Sequence, residues 1–273
     1  MPEFRNIVID DLPSRVEVHE GTFLRGGKRL DAASYRHLLP CAPKSVICVH
    51  LNYLGRLNEL GFERPPAPTY FTKPTSCLNV HGGDVMRPPN CNFLNYEGEV
   101  ALVIGKTARN VSIENASTYI AGYTIANDFG LHDFRDTDAN SMLRVKGSDT
   151  LGAIGPGLVT DWTFAHKRII TRVNGIPVQD ASTDDLIWDP HYLVADITRT
   201  ITLNEGDLIL TGTPPNSRPV QPGDEVEVEV EGLGVLTNRI VEGNDPVPTE
   251  YGAQPSDSKN VRAIALGLPR DVK

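Results

Sequence analysis

A chain of 273 residues with 40% apolar and 22% charged residues can bury a sizeable core, which excludes an intrinsically disordered protein. Its formal charge of -9 comes without a basic stripe, so no nucleic-acid partner is expected. No run approaches the roughly 18 apolar residues of a membrane span, so no membrane association is expected either.

The first forty or so residues alternate in short runs, RNIVIDDL and SRVEVHEGTFL, around the turn signal Arg25-Gly26-Gly27-Lys28. They read as a small β-rich lead-in. From Lys44 the apolar, β-branched run SVICVHLNYL feeds LGRLNELGF, a short helical pattern ending at Gly61, and a Pro-rich connector follows from Arg64 to Pro68. Strands are expected at Glu99 to Ile104, Tyr119 to Ala126, Ile169 to Val173, Asp207 to Thr211 and Glu225 to Glu231. Helices are expected at Ser112 to Tyr119, capped by Ser112, and at Pro190 to Thr200. The fold class is therefore mainly β with a few helices. Residues 1-43 form the lead-in, 44-243 the body, and 244-273 a Pro-, Ser- and Asp-rich tail expected to be extended or mobile. Cys41, Cys48, Cys77 and Cys91 lack C-x-x-C spacing, and charges interrupt the N-terminal apolar runs, as expected of a cytoplasmic protein.

Chemistry concentrates in YEGEVALVIG. Alternation along a strand puts Glu97 and Glu99 on one face with Ala101 and Val103, their Cα atoms about 6.5 to 7 Å apart. Two such carboxylates repel by about 2 to 3 kcal/mol at an effective dielectric near 20. The pair reads either as a solvated strand edge or as part of a cation site. A third carboxylate, Asp128, closes the strand YIAGYTIAND 29 residues after Glu99. Three carboxylates without a thiolate or an obvious imidazole make a hard-oxygen set, which favours Mg²⁺, with Mn²⁺ or Ca²⁺ as alternatives, over Zn²⁺.

Glu97-x-Glu99 followed by Asp128 resembles the metal signature of the fumarylacetoacetate hydrolase superfamily. The resemblance continues through LRVKGSDTLGAIGP, RVNGIPVQD, LILTGTPP and PGDEVEVEVEGLG, about 200 residues in the family's order. The likeness is strongest to the branch that decarboxylates and isomerises in homoprotocatechuate breakdown. It implies a mixed β-sandwich roll, often homodimeric, with the ion held by Glu97, Glu99 and Asp128. It also implies that Lys146 is the active-site lysine and that Thr213 contacts substrate, although Thr213 also reads as a plain turn residue. Asp149 reads either as a holder of Lys146 with a substrate-binding role or as a turn cap.

This chain departs from the resemblance at informative places, position 56 first and then at His132 and Arg135. Hydrolases of the superfamily carry Asn-Tyr-x-x-His-x-x-Glu, whereas residues 52 to 59 read NYLGRLNE, keeping Glu59 and replacing the His by Arg56. An arginine stays protonated and cannot take a proton from water. Arg56 could bind a substrate carboxylate or pair with Glu59 three residues on. His132 could supply acid-base chemistry, and Arg135 could bind a carboxylate; His50 and His81 are weaker candidates, His50 as a core residue. The leading expectation is a Mg²⁺-dependent decarboxylase or isomerase of a 2-oxo or 2-hydroxy-dienoate dicarboxylate from aromatic-compound catabolism. A carbon-carbon hydrolase of acylpyruvate-like diketones and a non-catalytic metal-binding protein are the alternatives.

Overall fold

Runs such as Val100 to Ile104, apolar on both faces, suit strands that are covered from both sides. The protein is described here by a computed structural model covering residues 3–9, 11–19, 22–25, 28–31, 35–139 and 141–268. The lead-in comprises β1 (Glu3–Ile9), β2 (Leu12–His19), β3 (Thr22–Arg25), β4 (Lys28–Arg29) and β5 (Tyr35–His37); Gly26 and Gly27 of the expected turn lie outside the described residues. β6 (Val46–His50), α1 (Leu54–Leu60), β7 (Thr69–Lys73), β8 (Leu78–Val80), β9 (Asp84–Arg87), β10 (Leu94–Asn95) and β11 (Gly98–Ile104) follow. A 3-10 segment (Ile113–Tyr119) leads to β12 (Ile120–Asp128), β13 (Gly130–Leu131) and a second 3-10 turn (His132–Phe134). Then come α2 (Arg135–Asp138), α3 (Leu143–Gly147), β14 (Gly152–Val159), β15 (Arg168–Val173), β16 (Ile176–Ser182) and α4 (Pro190–Thr198). β17 (Leu208–Leu210), β18 (Glu225–Val230), β19 (Gly234–Glu242) and α5 (Lys259–Leu266) complete the chain.

The largest sheet runs β4-β3-β2-β1-β14-β12-β11-β17-β6-β7, with β5 on β1 and β8 on β14, and a second sheet runs β16-β15-β18-β19-β9. One face of the large sheet, carrying Val100, Leu102, Ile104, Ile125 and Ile209, packs on Ile169, Val228, Leu236 and Ile240 of the second. The opposite face carries Val46, Cys48, Ala101, Val103, Ala126, Ile154 and Leu210. Leu102 is fully buried, and cutting it to alanine would cost about 2 to 5 kcal/mol. The mainly β class with few helices is thus observed as expected.

Three local expectations need correction. The tail is not simply extended: it contains α5, whose Val261 and Ala265 pack on Phe93. Ser112 stands at the start of its 3-10 segment but gives no backbone cap, because its Oγ takes the Asn115 side-chain amide at 3.1 Å. β7, β9, β14 and β19 were not anticipated as strands, since Pro, Gly and polar residues break their apolar patterns.

Candidate active site

Register assembles the carboxylates. Glu99 lies opposite Ala126, and the Asp128 amide donates to the Glu97 carbonyl at 2.9 Å, so Glu97, Glu99 and Asp128 meet at one end of one sheet face. All three are buried, and one oxygen of each lies within 4.8 Å of the others. Burial, then Asp128 and Glu97, push the Glu99 carboxyl well above its ordinary value. The Glu99 Oε2 accepts the Gly212 amide at 2.7 Å. Gly212 sits at φ +100, and a Cβ there would come within 2.9 Å of the Asn52 Cβ, so only glycine brings this amide in.

Two ammoniums face the triad. Lys146, on α3, donates to Glu97 Oε2 and to the Asp128 carbonyl, both at 2.6 Å, and lies 3.2 Å from Asp128 Oδ2. Lys73, the last residue of β7 and fully enclosed, donates to Asp128 Oδ1 and to the Leu151 carbonyl at 3.3 Å. Burial alone would raise the Asp128 carboxyl, but Lys146 and Lys73 hold it below its ordinary value. With all three carboxylates ionised, as cation ligands would be, the two ammoniums leave one formal negative charge. A divalent cation would turn that into one positive charge, which a carboxylate ligand neutralises. The buried all-oxygen donor set and its charge therefore fit a hard divalent cation held by Glu97, Glu99 and Asp128.

A cavity of about 40 Å³ adjoins these groups, and Arg56, His132, Arg135 and Thr213 help to line it. Arg56, only 3% exposed, pairs with Glu59 Oε2 at 2.6 Å. Glu59 also takes Arg218 on Oε1 at 2.6 Å and lies outside the cavity wall. His132 is buried; desolvation, then Arg135, Lys146 and Arg56, hold it well below the usual imidazole value, so it is neutral. Arg135 Nη1 stands 3.5 Å from His132 Nδ1, and a guanidinium can only donate. This assigns the ring proton to Nε2, which has no hydrogen-bond partner and lies 3.9 Å from Glu97 Oε1.

His50, half-buried, also lines the cavity rather than sitting in the core. His81 does not: its Nδ1 accepts the Thr237 amide at 3.1 Å, away from the triad. Asp149 corrects another expectation. It neither holds Lys146, which donates to Glu97 and Asp128, nor lines this cavity; it borders a separate concavity with Met86 and Tyr251. A larger concavity, about 1130 Å³ beside the lead-in, shares no lining residue with the carboxylate cavity.

Two residues escaped the sequence reading. The signal for Lys73 is a lysine ending a β-rich run (TYFTK), a position that is costly unless an anion waits beside it. Gln179 is buried, accepts from Thr171 Oγ1 at 2.7 Å, and donates to Thr213 Oγ1 at 3.1 Å and to the Pro214 carbonyl at 2.9 Å. It ties the second sheet to the turn that carries Gly212 and Thr213.

Residues 45–241 match the family described as fumarylacetoacetate (FAA) hydrolase C-terminal. The chain belongs to that family. It is 40% identical over 206 residues to the 4-hydroxyphenylacetate degradation bifunctional isomerase/decarboxylase of Escherichia coli, covering 74% of this chain and 48% of the relative. The chain thus spans about half of that relative's length. The structure of 2-hydroxyhepta-2,4-diene-1,7-dioate isomerase from Mycobacterium marinum is similar at a TM-score of 0.80, with 32% identity, covering 90% of this chain and all of that one. Fumarylpyruvate hydrolase from Pseudomonas aeruginosa, solved in complex with Mn²⁺ and pyruvate, is similar at a TM-score of 0.69, with 28% identity, covering 74% of this chain and 91% of that one. No helix among the described residues is long and apolar enough to cross a membrane.

Proposed function

We propose that this chain is a Mg²⁺-dependent isomerase or decarboxylase acting on a 2-oxo or 2-hydroxy-dienoate dicarboxylate from aromatic-compound breakdown. The observation that carries the reading is Arg56 in the cavity wall beside a buried Glu97-Glu99-Asp128 cluster, a guanidinium where a hydrolase of this family needs a base. When bound, the cation supplies Lewis acidity toward a chelating 2-oxo acid.

The chain's own residues do the rest. Arg56 and Arg135 present guanidiniums that suit the distal carboxylate of a diacid. Lys146 orients Glu97 and adds positive charge where negative charge grows on the substrate. His132 is neutral, with its proton on Nε2, so that N–H is set to hydrogen-bond an oxygen on which negative charge grows. Isomerisation needs one proton moved between oxygen and carbon. Decarboxylation breaks the carbon-carbon bond, releases CO₂, leaves the electron pair on the oxo acid and ends in protonation. Neither reaction requires an attacking water.

Full-length protein loaded with Mg²⁺ should convert 2-hydroxyhepta-2,4-diene-1,7-dioate, followed by its ultraviolet absorbance, or release CO₂ from 5-oxopent-3-ene-1,2,5-tricarboxylate. Absence of both activities at full metal occupancy would sink the proposal. Release of pyruvate from an acylpyruvate, abolished in His132→Ala, would establish hydrolysis in its place.

A further inference from the structure

The family match ends at residue 241, yet the chain continues and returns to the active site. α5 starts at Ser258, whose Oγ accepts the Val261 amide at 3.1 Å, and ends at Gly267 with φ +60. A Cβ on Gly267 would meet the Arg218 guanidinium at 2.5 Å, so the helix ends hard against the partner of Glu59. The arm is fastened at three further places. The Ser256 amide donates to the Asp133 carbonyl at 2.8 Å, Asn260 Nδ2 to Asp136 Oδ1 at 2.7 Å, and Asn95 Nδ2 to the Ala265 carbonyl at 2.9 Å. Asp133 and Asp136 adjoin His132 and Arg135, so the arm is tied to the segment that carries two cavity residues.

The arm puts one side chain into the cavity wall, Ile264, which is 1% exposed. The cavity of about 40 Å³ is far below the roughly 300 to 1,000 Å³ of ordinary ligand pockets, so the wall must give way when an acid enters. α5 is a wall element outside both sheets and outside the family match, fastened by these few hydrogen bonds and by the packing of Val261 and Ala265 on Phe93. Its contribution is apolar where Arg56 and Arg135 are cationic. A carboxylate ending against Ile264 would be desolvated without a partner, whereas methylenes would be accepted there.

We infer that the C-terminal arm is a cover over the active site and that Ile264 determines the length of the diacid admitted. The inference deepens the proposed function and rests on it for the substrate class.

The test uses the full chain loaded with Mn²⁺ and measures binding of 2-oxoglutarate, 2-oxoadipate and 2-oxopimelate by calorimetry, with oxalate as a short chelating control. Ile264→Ala should move the preference toward the longer acids, changing the 2-oxopimelate to 2-oxoglutarate affinity ratio by about tenfold, and Ile264→Phe should move it the other way. Oxalate and Mn²⁺ affinities should stay as in the wild type. Ile264→Val, a smaller truncation, should shift the ratio in the same sense as alanine and covers the case in which alanine fails to fold. Ratios unchanged within twofold, or an equal loss for oxalate and all three acids, would overturn the inference. A shifted ladder in a protein that turns over no oxo acid would count against the proposed activity alone.

Discussion

Arg56 Nη1 lies 2.6 Å from Glu59 Oε2 across one turn of α1, and Arg218 holds the other Glu59 oxygen at the same distance. Arg56 is therefore anchored by Glu59 and still lines the cavity. Arg56→Ala should raise KM for dicarboxylate substrates by about 10- to 100-fold, the worth of a hydrogen-bonded charge pair, with a smaller change in kcat. Steady-state kinetics with a monocarboxylic 2-oxo acid as comparison checks this. An equal penalty for both substrate types would remove Arg56 from carboxylate binding.

Lys73 pairs with Asp128 in a fully enclosed setting. Removing one partner of a buried pair leaves an uncompensated charge, so Lys73→Met should cost about 3 kcal/mol in metal-free protein. A bound divalent ion supplies the missing compensation, and the loss should shrink when Mg²⁺ is present at saturation. Urea unfolding with EDTA and with Mg²⁺ measures both quantities. Identical losses would mean that Lys73 supports the fold and not the carboxylate cluster.

The carboxylate cluster was legible because period-two alternation and one strand pairing suffice to bring Glu97, Glu99 and Asp128 together; the observed register, Glu99 against Ala126, does so. Lys73 and Gln179 were not legible. Lys73 reaches Asp128 from β7, at the end of the large sheet and three strands away from β11, a neighbourhood that no local pattern announces. Gln179 looks like any polar residue of a hairpin strand until the second sheet folds over Gly98 and the 212–215 turn. α5 was hidden by its preface: Pro, Ser and Asp dominate residues 244–258, and eight helical residues give too short a period to outweigh them. Asp149 misled because nearness in sequence to Lys146 says little once α3 ends between them.

Glu99 is opposed by burial and by two neighbouring carboxylates. Glu99→Gln keeps its shape and can still accept the Gly212 amide, so metal-free protein should gain about 1 to 2 kcal/mol. The same change removes a cation ligand. Wild-type protein at a Mg²⁺ concentration of about 100 times Kd should gain about 2.7 kcal/mol over its EDTA-treated form, and the variant should gain almost nothing. The two stability curves therefore cross as Mg²⁺ is added. Thermal unfolding across a Mg²⁺ titration shows the crossing, and parallel curves would place the cation elsewhere.

Far from this site, His37 and His81 stack edge to face with ring centroids 4.6 Å apart. Burial, then His81 and Arg5, lower the His37 imidazole to about 4; burial and then Arg5 do the same to His81. Both values lie below the roughly 6.5 of an unfolded histidine, so between these limits the unfolded chain binds more protons. Their contribution to stability is complete above pH 6.5 and is lost as pH falls through 4. Each histidine should account for about 1 to 2 kcal/mol of that loss, allowing for partial solvent screening. His37→Phe removes one of the two titrations, so its unfolding free energy should fall less than that of the wild type between pH 7.5 and 4.5. Urea unfolding at both pH values gives the difference directly; an equal fall in the two proteins would show that acid sensitivity resides in the carboxylates instead.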